Sequence, residues 1–177
     1  DVRDFDQMAT IFRECQPEVV FHLAAQALVR RSYKDPKETF DVNVGGGINL
    51  LECVRVTESV ESLVFVTSDK CYLNKELDRG YTESDELGGI DPYSASKASA
   101  ELAFATFNNA YFSQRVGFSA ASARAGNVVG GAPEAGGAGR TFLLEDNTSG
   151  QLFVTETYRD EDKRSDILRV RMDEELN

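Results

Sequence analysis

The chain has 177 residues, 41% of them hydrophobic and 28% charged, enough for one domain with a core of its own. No apolar run approaches the roughly 20 residues that cross a bilayer, and a net charge of −11 opposes binding to nucleic-acid phosphates or anionic lipid. The opening Asp1-Val2-Arg3-Asp4 lacks the basic start and apolar core of a secretory leader, and three cysteines (Cys15, Cys53, Cys71) without metal-ligand spacing point to a reducing cytoplasm and no metal centre.

Residues 4–16 place Met8, Ile11, Phe12 and Cys15 at helical spacing, with Asp4 or Asp6 as the cap and Pro17 as the stop. Residues 18–25 form a short apolar run without alternation, which predicts a strand buried on both faces as in parallel sheets. His22 lies within that strand and reads as a structural histidine. A second helical pattern over 36–58 runs through Phe40, Val44, Ile48, Leu51 and Val54. Gly45-Gly46-Gly47 interrupts it, at up to roughly 1 kcal/mol per glycine relative to alanine. Either the backbone approaches the sheet or a cofactor closely there, or the helix breaks or kinks.

Residues 62–67 predict a second buried strand ending in Ser68-Asp69-Lys70, polar residues at the place where open α/β sheets bind ligands. Cys71 to Pro92 reads as a long charged loop punctuated by Gly80, Gly88, Gly89 and Asp91, and loops of this length are more often functional than not. A long helix over 94–112 follows, presenting Phe104, Phe107 and Tyr111 for packing. Residues 116–123 are a third strand, leading into the glycine-containing turn 124–131. This alternation is the grammar of an α/β doubly wound sheet. Residues 132–139 have the Ala/Gly composition of a linker. The remainder holds a β-prone piece, Gln151 to Thr155, and a charge-dense end that we expect to be a surface helix or a disordered tail.

The chemistry concentrates at Tyr93-Ser94-Ala95-Ser96-Lys97. A tyrosine four residues before a lysine on a helix places both on one face. A nearby ammonium favours the phenolate and brings a group of pKa about 10 toward use as a base. Tyr33 and Lys37 have the same spacing, but Pro36 argues against one continuous helix through them.

Phe21 to Gln26, Asn43-Val44, Leu50-Leu51-Glu52, Thr67 to Tyr72, Gly89 to Lys97 and Ser122 to Val128 together resemble an extended short-chain dehydrogenase/reductase, and within it the CDP-glucose 4,6-dehydratase branch. The likeness covers residues 1–131. It implies a partial NAD-binding, Rossmann-like domain lacking its first strands, because the family's glycine-rich pyrophosphate turn would precede Asp1. Residues 132–177 then form a linker and tail unlike the family. The chain therefore reads as an internal piece of an enzyme.

The resemblance implies NAD as cofactor and a nucleotide sugar as substrate. Tyr93, supported by Lys97, would take the proton of the sugar 4-hydroxyl, which Ser68 holds, while hydride leaves carbon 4 for NAD+. Asp69 would protonate the departing 6-hydroxyl and Lys70 would take the proton from carbon 5; the plainer reading of Asp69-Lys70 is an exposed ion pair. Asp1 and Val2 would flank adenine, Ala24, Ala25 and Gln26 would lie beside the cofactor with Tyr93 and Lys97, and Asn127 would contact substrate. A homodimer is left open for the intact enzyme. Two alternatives stand: a UDP-N-acetylglucosamine 4,6-dehydratase, and an inactive fragment that cannot bind NAD and presents residues 19–23 as an unpaired edge.

Overall fold

The computed structural model describes residues 1–126 and the backbones of three further strands, Thr141–Glu145, Leu152–Arg159 and Asp166–Met172. The expected turn at 127–131, with Asn127, and the linker at 132–139 lie outside the described residues.

Helix α1, Phe5–Cys15, starts because the Asp4 carboxylate accepts from the Gln7 backbone N–H at 2.9 Å, and it stops at Gln16 in the left-handed conformation ahead of Pro17. Met8 and Phe12 are buried, whereas Ile11 and Cys15 of the same pattern face solvent. Strand β1, Val19–His22, follows. The stretch around Tyr33 then splits into α2, Val29–Lys34, and α3, Pro36–Phe40, because Asp35 caps α3 and Pro36 occupies its first turn. Tyr33 is exposed, and Lys37 pairs instead with Asp41.

Beyond α3 the helix widens into a π-helical turn at Asp41–Gly45 and resumes as α4, Gly46–Val56. Both sequence readings of the glycines hold in part. A Cβ at Gly46 would stand 2.5 Å from Val2 Cγ2, and one at Gly47 would stand 3.0 Å from Phe65 Cζ, so the backbone does approach its neighbours closely. The Arg115 guanidinium donates to the carbonyls of Val54, Thr57, Glu58 and Val60 at 2.7–3.0 Å, tying down the end of α4 and the turn that follows it. Strand β2 is Ser62–Val66, α5 is Pro92–Ala110, and β3 is Ser119–Ala123.

Strands β1, β2 and β3 form a parallel sheet in that order, with Val20 opposite Leu63 and Leu63 opposite Ala120. Helices α1, α4 and α5 pack side by side, and the core lies between them and the sheet: Leu51, Val54, Leu63, Phe65 and Phe104 are almost wholly buried. Each such side chain contributes about 1.5–3 kcal/mol. A ring stack runs from His22 to Phe65 at 4.7 Å and on to Phe104 at 5.6 Å.

Two expectations change. Strand β1 is buried on one face only: Val20 and His22 point inward, while Val19 and Phe21 are 54% and 50% exposed. An unbroken apolar run identifies a strand but does not say which of its faces is covered. The charge-dense end does not form a helix at Asp166–Met172. It is strand β6, antiparallel to β5 (Leu152–Arg159), which pairs with β4 (Thr141–Glu145). Leu168, Val170 and Met172 alternate there with Arg169 and Arg171, a period of two that outweighs the charge density.

Candidate active site

Helix α5 is set by its cap. The Asp91 carboxylate accepts from the backbone N–H groups of Tyr93 and Ser94 at 3.0 Å each and from Ser94 Oγ at 2.5 Å, and Pro92 fits the first turn. The inward face carries Tyr93, Lys97 and Glu101, all buried and one turn apart. The Lys97 ammonium lies 6.0 Å from the centre of the Tyr93 ring. Burial lowers the Lys97 pKa, while Glu101 and Cys71 act in the opposite direction.

The second half of the site comes from the end of β2. Ser68 is buried and caps a 3₁₀ turn at Asp69–Cys71: its Oγ donates to Asp69 Oδ1 at 3.0 Å and accepts from the Lys70 N–H at 3.2 Å. The ladder between β2 and β3 continues past both strands, with Thr67 N–H on the Ala123 carbonyl at 2.8 Å and Asp69 N–H on that of Ala125 at 3.0 Å. The turn packs against α5. Asp69 and Lys70 are exposed. They make no ion pair with each other among the described residues; the Lys70 charge acts instead on Asp91. Thus Ser68, Asp69, Lys70, Tyr93 and Lys97 gather where the β2 end meets the start of α5.

The other expected positions are distributed differently. Gln26 is buried in the loop after β1, and its side chain is occupied there: Nε2 donates to Thr39 Oγ1 at 2.9 Å and Oε1 accepts from the Leu28 N–H at 2.8 Å. Ala24 is exposed and Ala25 half-buried. Asp1 chelates Arg3, and Val2 is pinned to α4 through its carbonyl, which accepts from Asn49 Nδ2 at 3.0 Å. His22 is buried with its pKa lowered to about 4, first by desolvation and then by Lys97, as suits a neutral ring in the stack.

Three residues to which the sequence reading gave no individual role shape the site. Asn43, in the π turn, accepts from the Gln26 N–H at 2.8 Å and donates to Ser96 Oγ at 2.9 Å, tying that loop to α5 between Tyr93 and Lys97. Glu101 and Arg124 form a buried ion pair at 2.9 Å. A charged residue on the core face of α5, four positions past Lys97, was the available signal for Glu101.

The Lys97 ammonium has no hydrogen-bond partner among the described residues and retains some access to the outside. Three free donors beside a buried phenol suit the vicinal hydroxyls of a ribose. A tyrosine–lysine pair on a helix, with a serine at the end of the preceding parallel strand, is the arrangement of short-chain dehydrogenases and reductases. The sequence profile of the family described as GDP-mannose 4,6 dehydratase matches residues 1–127. The chain belongs to this family of nucleotide-sugar dehydratases and epimerases. It is 47% identical over 135 residues to a CDP-glucose 4,6-dehydratase of Salmonella typhimurium, an alignment covering 74% of this chain and 38% of that relative. Among solved structures, UDP-glucose 4-epimerase of Thermus thermophilus complexed with NAD superposes with a TM-score of 0.63 at 35% identity, covering 77% of this chain and 42% of the other. A dTDP-glucose 4,6-dehydratase of Streptomyces venezuelae with NAD bound gives 0.59 at 29% identity, covering 70% and 36%. The chain thus spans about two fifths of the relatives it matches. No helix among the described residues is long and apolar enough to cross a membrane.

Proposed function

We propose that this chain belongs to an NAD-dependent nucleotide-sugar 4,6-dehydratase converting CDP-glucose to CDP-4-keto-6-deoxyglucose. The observation that carries this reading is the burial of Tyr93 and Lys97 on one face of α5, beside the turn that presents Ser68, Asp69 and Lys70. When bound, NAD would supply the hydride acceptor for carbon 4 and the hydride donor for carbon 6. Tyr93 takes the proton of the 4-hydroxyl, its phenolate favoured by the Lys97 ammonium, and Ser68 orients that hydroxyl. The exposed positions of Asp69 and Lys70 suit groups that reach toward a substrate. Asp69 delivers a proton to the departing 6-hydroxyl, so that one water leaves, and Lys70 removes the proton from carbon 5 and gives it back there when hydride reaches carbon 6. Lys97 would hold the cofactor ribose through its ammonium, which has no hydrogen-bond partner among the described residues. Ala24 and Ala25 would offer backbone beside the cofactor, with Gln26 fixing their loop, and Asp1 and Val2 would flank adenine. Asn127, by the resemblance, would contact the sugar nucleotide.

Incubation with CDP-glucose and NAD+, with products read by mass spectrometry, tests this: loss of one water is expected. Turnover of UDP-N-acetylglucosamine but not of CDP-glucose overturns the choice of substrate. A homodimer belongs to the same reading for the intact enzyme, and sedimentation equilibrium checks it.

A second reading concerns residues 1–177 in isolation. Strand β1 is an edge among the described residues, and its apolar outward side chains are uncovered. In this reading the isolated chain binds NAD weakly or not at all. Micromolar affinity in a calorimetric titration counts against it.

A further inference from the structure

The Glu101 carboxylate collects donors from three elements. Thr67 Oγ1 reaches it from the end of β2, Ser122 Oγ from β3 at 3.1 Å, and Arg124 from beyond β3 through Nε at 2.9 Å. Arg124 grips the long loop as well. Its Nη1 donates to the Tyr72 hydroxyl at 2.9 Å and to the Glu83 carbonyl at 3.3 Å, its guanidinium lies 5.0 Å from the Tyr72 ring, and that ring stacks on Tyr81 at 5.3 Å. The loop itself is closed where Tyr72 bridges Leu87 and the Gly88 N–H donates to the Cys71 carbonyl at 2.8 Å.

The positions of these contacts along the chain decide what they do. Thr67 is the residue before Ser68. Arg124 is the residue before Ala125, whose carbonyl holds the Asp69 N–H. Glu101 is one turn past Lys97 on the same face. Desolvation makes a buried ion pair a poor source of net stability, but it strongly favours one geometry once its hydrogen bonds are complete, as they are at Glu101. We propose that Glu101 and Arg124 are positioning residues: together they hold the Tyr93–Lys97 face of α5 in register with Ser68-Asp69-Lys70 and clamp the 72–87 loop against the same strand ends. The assignment rests on the dehydratase reading for its effect on turnover, but its geometric content does not.

Two variants of the full protein test it. Glu101→Met with Arg124→Met replaces both charges by apolar groups and so avoids an orphaned buried ion. Arg124→Lys keeps the cation and the fold but removes the fork that reaches Tyr72. Lys97 is followed by ¹³C NMR of the lysine ε-carbons, with Lys97→Met identifying its signal. The charged and titratable groups facing Lys97 are Tyr93 and Glu101 on α5, Cys71 on the 3₁₀ turn and His22 on β1.

In the double variant the Lys97 midpoint is expected to fall and kcat to drop roughly 100-fold with KM changed less than about threefold. In Arg124→Lys, amide exchange in 72–87 should quicken and kcat fall while the thermal midpoint holds. A folded double variant with wild-type exchange and kcat overturns the proposal, because a merely structural pair is replaceable in this way; the Lys97 midpoint falls in either case, since the Glu101 charge is gone. Wild-type exchange and kcat in Arg124→Lys overturn the clamp, and this arm stands even where the double variant does not fold. If wild type turns over no nucleotide hexose, the dehydratase reading falls, and amide exchange at 68–87 still decides the positioning claim.

Discussion

Replacing Asp91 by alanine removes the acceptor for two backbone donors and one hydroxyl at the amino end of α5. Loss of such a cap lowers stability by about 0.5–2 kcal/mol. The upper half of that range is expected here, because both N–H groups lie beside buried Tyr93 and Ser94. For a chain of this size that corresponds to a thermal midpoint lower by roughly 2–8 °C. Burial of the Asp91 carboxyl works to raise its pKa, but hydrogen bonds from Ser94 and Tyr93, helped by the Lys70 charge, bring it below the ordinary aspartate value. The unfolded chain is therefore protonated first as pH falls. The contribution of the cap is complete above about pH 4 and disappears as pH drops through the lower folded value. Urea denaturation followed by circular dichroism at pH 7 and at steps down to pH 2 measures this for wild type, Asp91→Ala and Asp91→Ser. The serine restores most of the loss at neutral pH. A deficit below about 0.3 kcal/mol for the alanine variant at pH 7, or one that stays constant down to pH 2, refutes the reasoning.

Tyr93→Phe should lower kcat by about 10²–10⁴-fold with the KM for nucleotide sugar nearly unchanged, as steady-state kinetics will show. His22, with its pKa lowered to about 4 by burial and then by Lys97, stays neutral in the folded chain while the unfolded chain takes up a proton near pH 6.5. The folded chain should accordingly lose roughly 3 kcal/mol as pH falls from 6.5 to 4, and His22→Phe should flatten that part of the stability curve. In Gly46→Ala the new methyl meets Val2, and denaturant midpoints should register a loss of about 1–3 kcal/mol. Arg115→Met removes a donor from four carbonyls, of which those of Val54 and Thr57 keep a backbone N–H, and should cost about 1–3 kcal/mol by the same measurement, with no effect on Lys97.

The parts of this fold governed by near neighbours in sequence could be read directly. Asp4 and Pro17 bracket α1, Pro36 breaks the false Tyr33–Lys37 pair, and the run ending in Ser68 forms a parallel strand that delivers a serine, an aspartate and a lysine to the site. The one-sided exposure of β1 could not be read in this way, because Val19 and Phe21 are as apolar as Val20 and coverage depends on elements far away along the chain. Nor could the role of Arg124, which lies 23 residues from Glu101 and 52 from Tyr72. Its arginine appears in the sequence as one polar residue after a strand, and only the folded sheet brings it to the helix. At Asp166–Met172 a compositional rule competed with a period-two pattern, and the pattern was the better guide.

The π-helical turn at Asp41–Gly45 limits how this protein can vary. An α-helix advances about 100° per residue, so the single-residue widening of a π turn rotates everything after it by that angle. Within the turn, Asn43 meets Gln26 and Ser96; after it, Gly46 and Gly47 meet Val2 and Phe65. Deleting one residue from this turn would give a more regular helix that could keep only one of these two sets of neighbours. Single-residue insertions and deletions should therefore be excluded from 41–45 while remaining admissible at the solvent-facing tip of the loop at 74–80, even though the first segment is helical and the second is not.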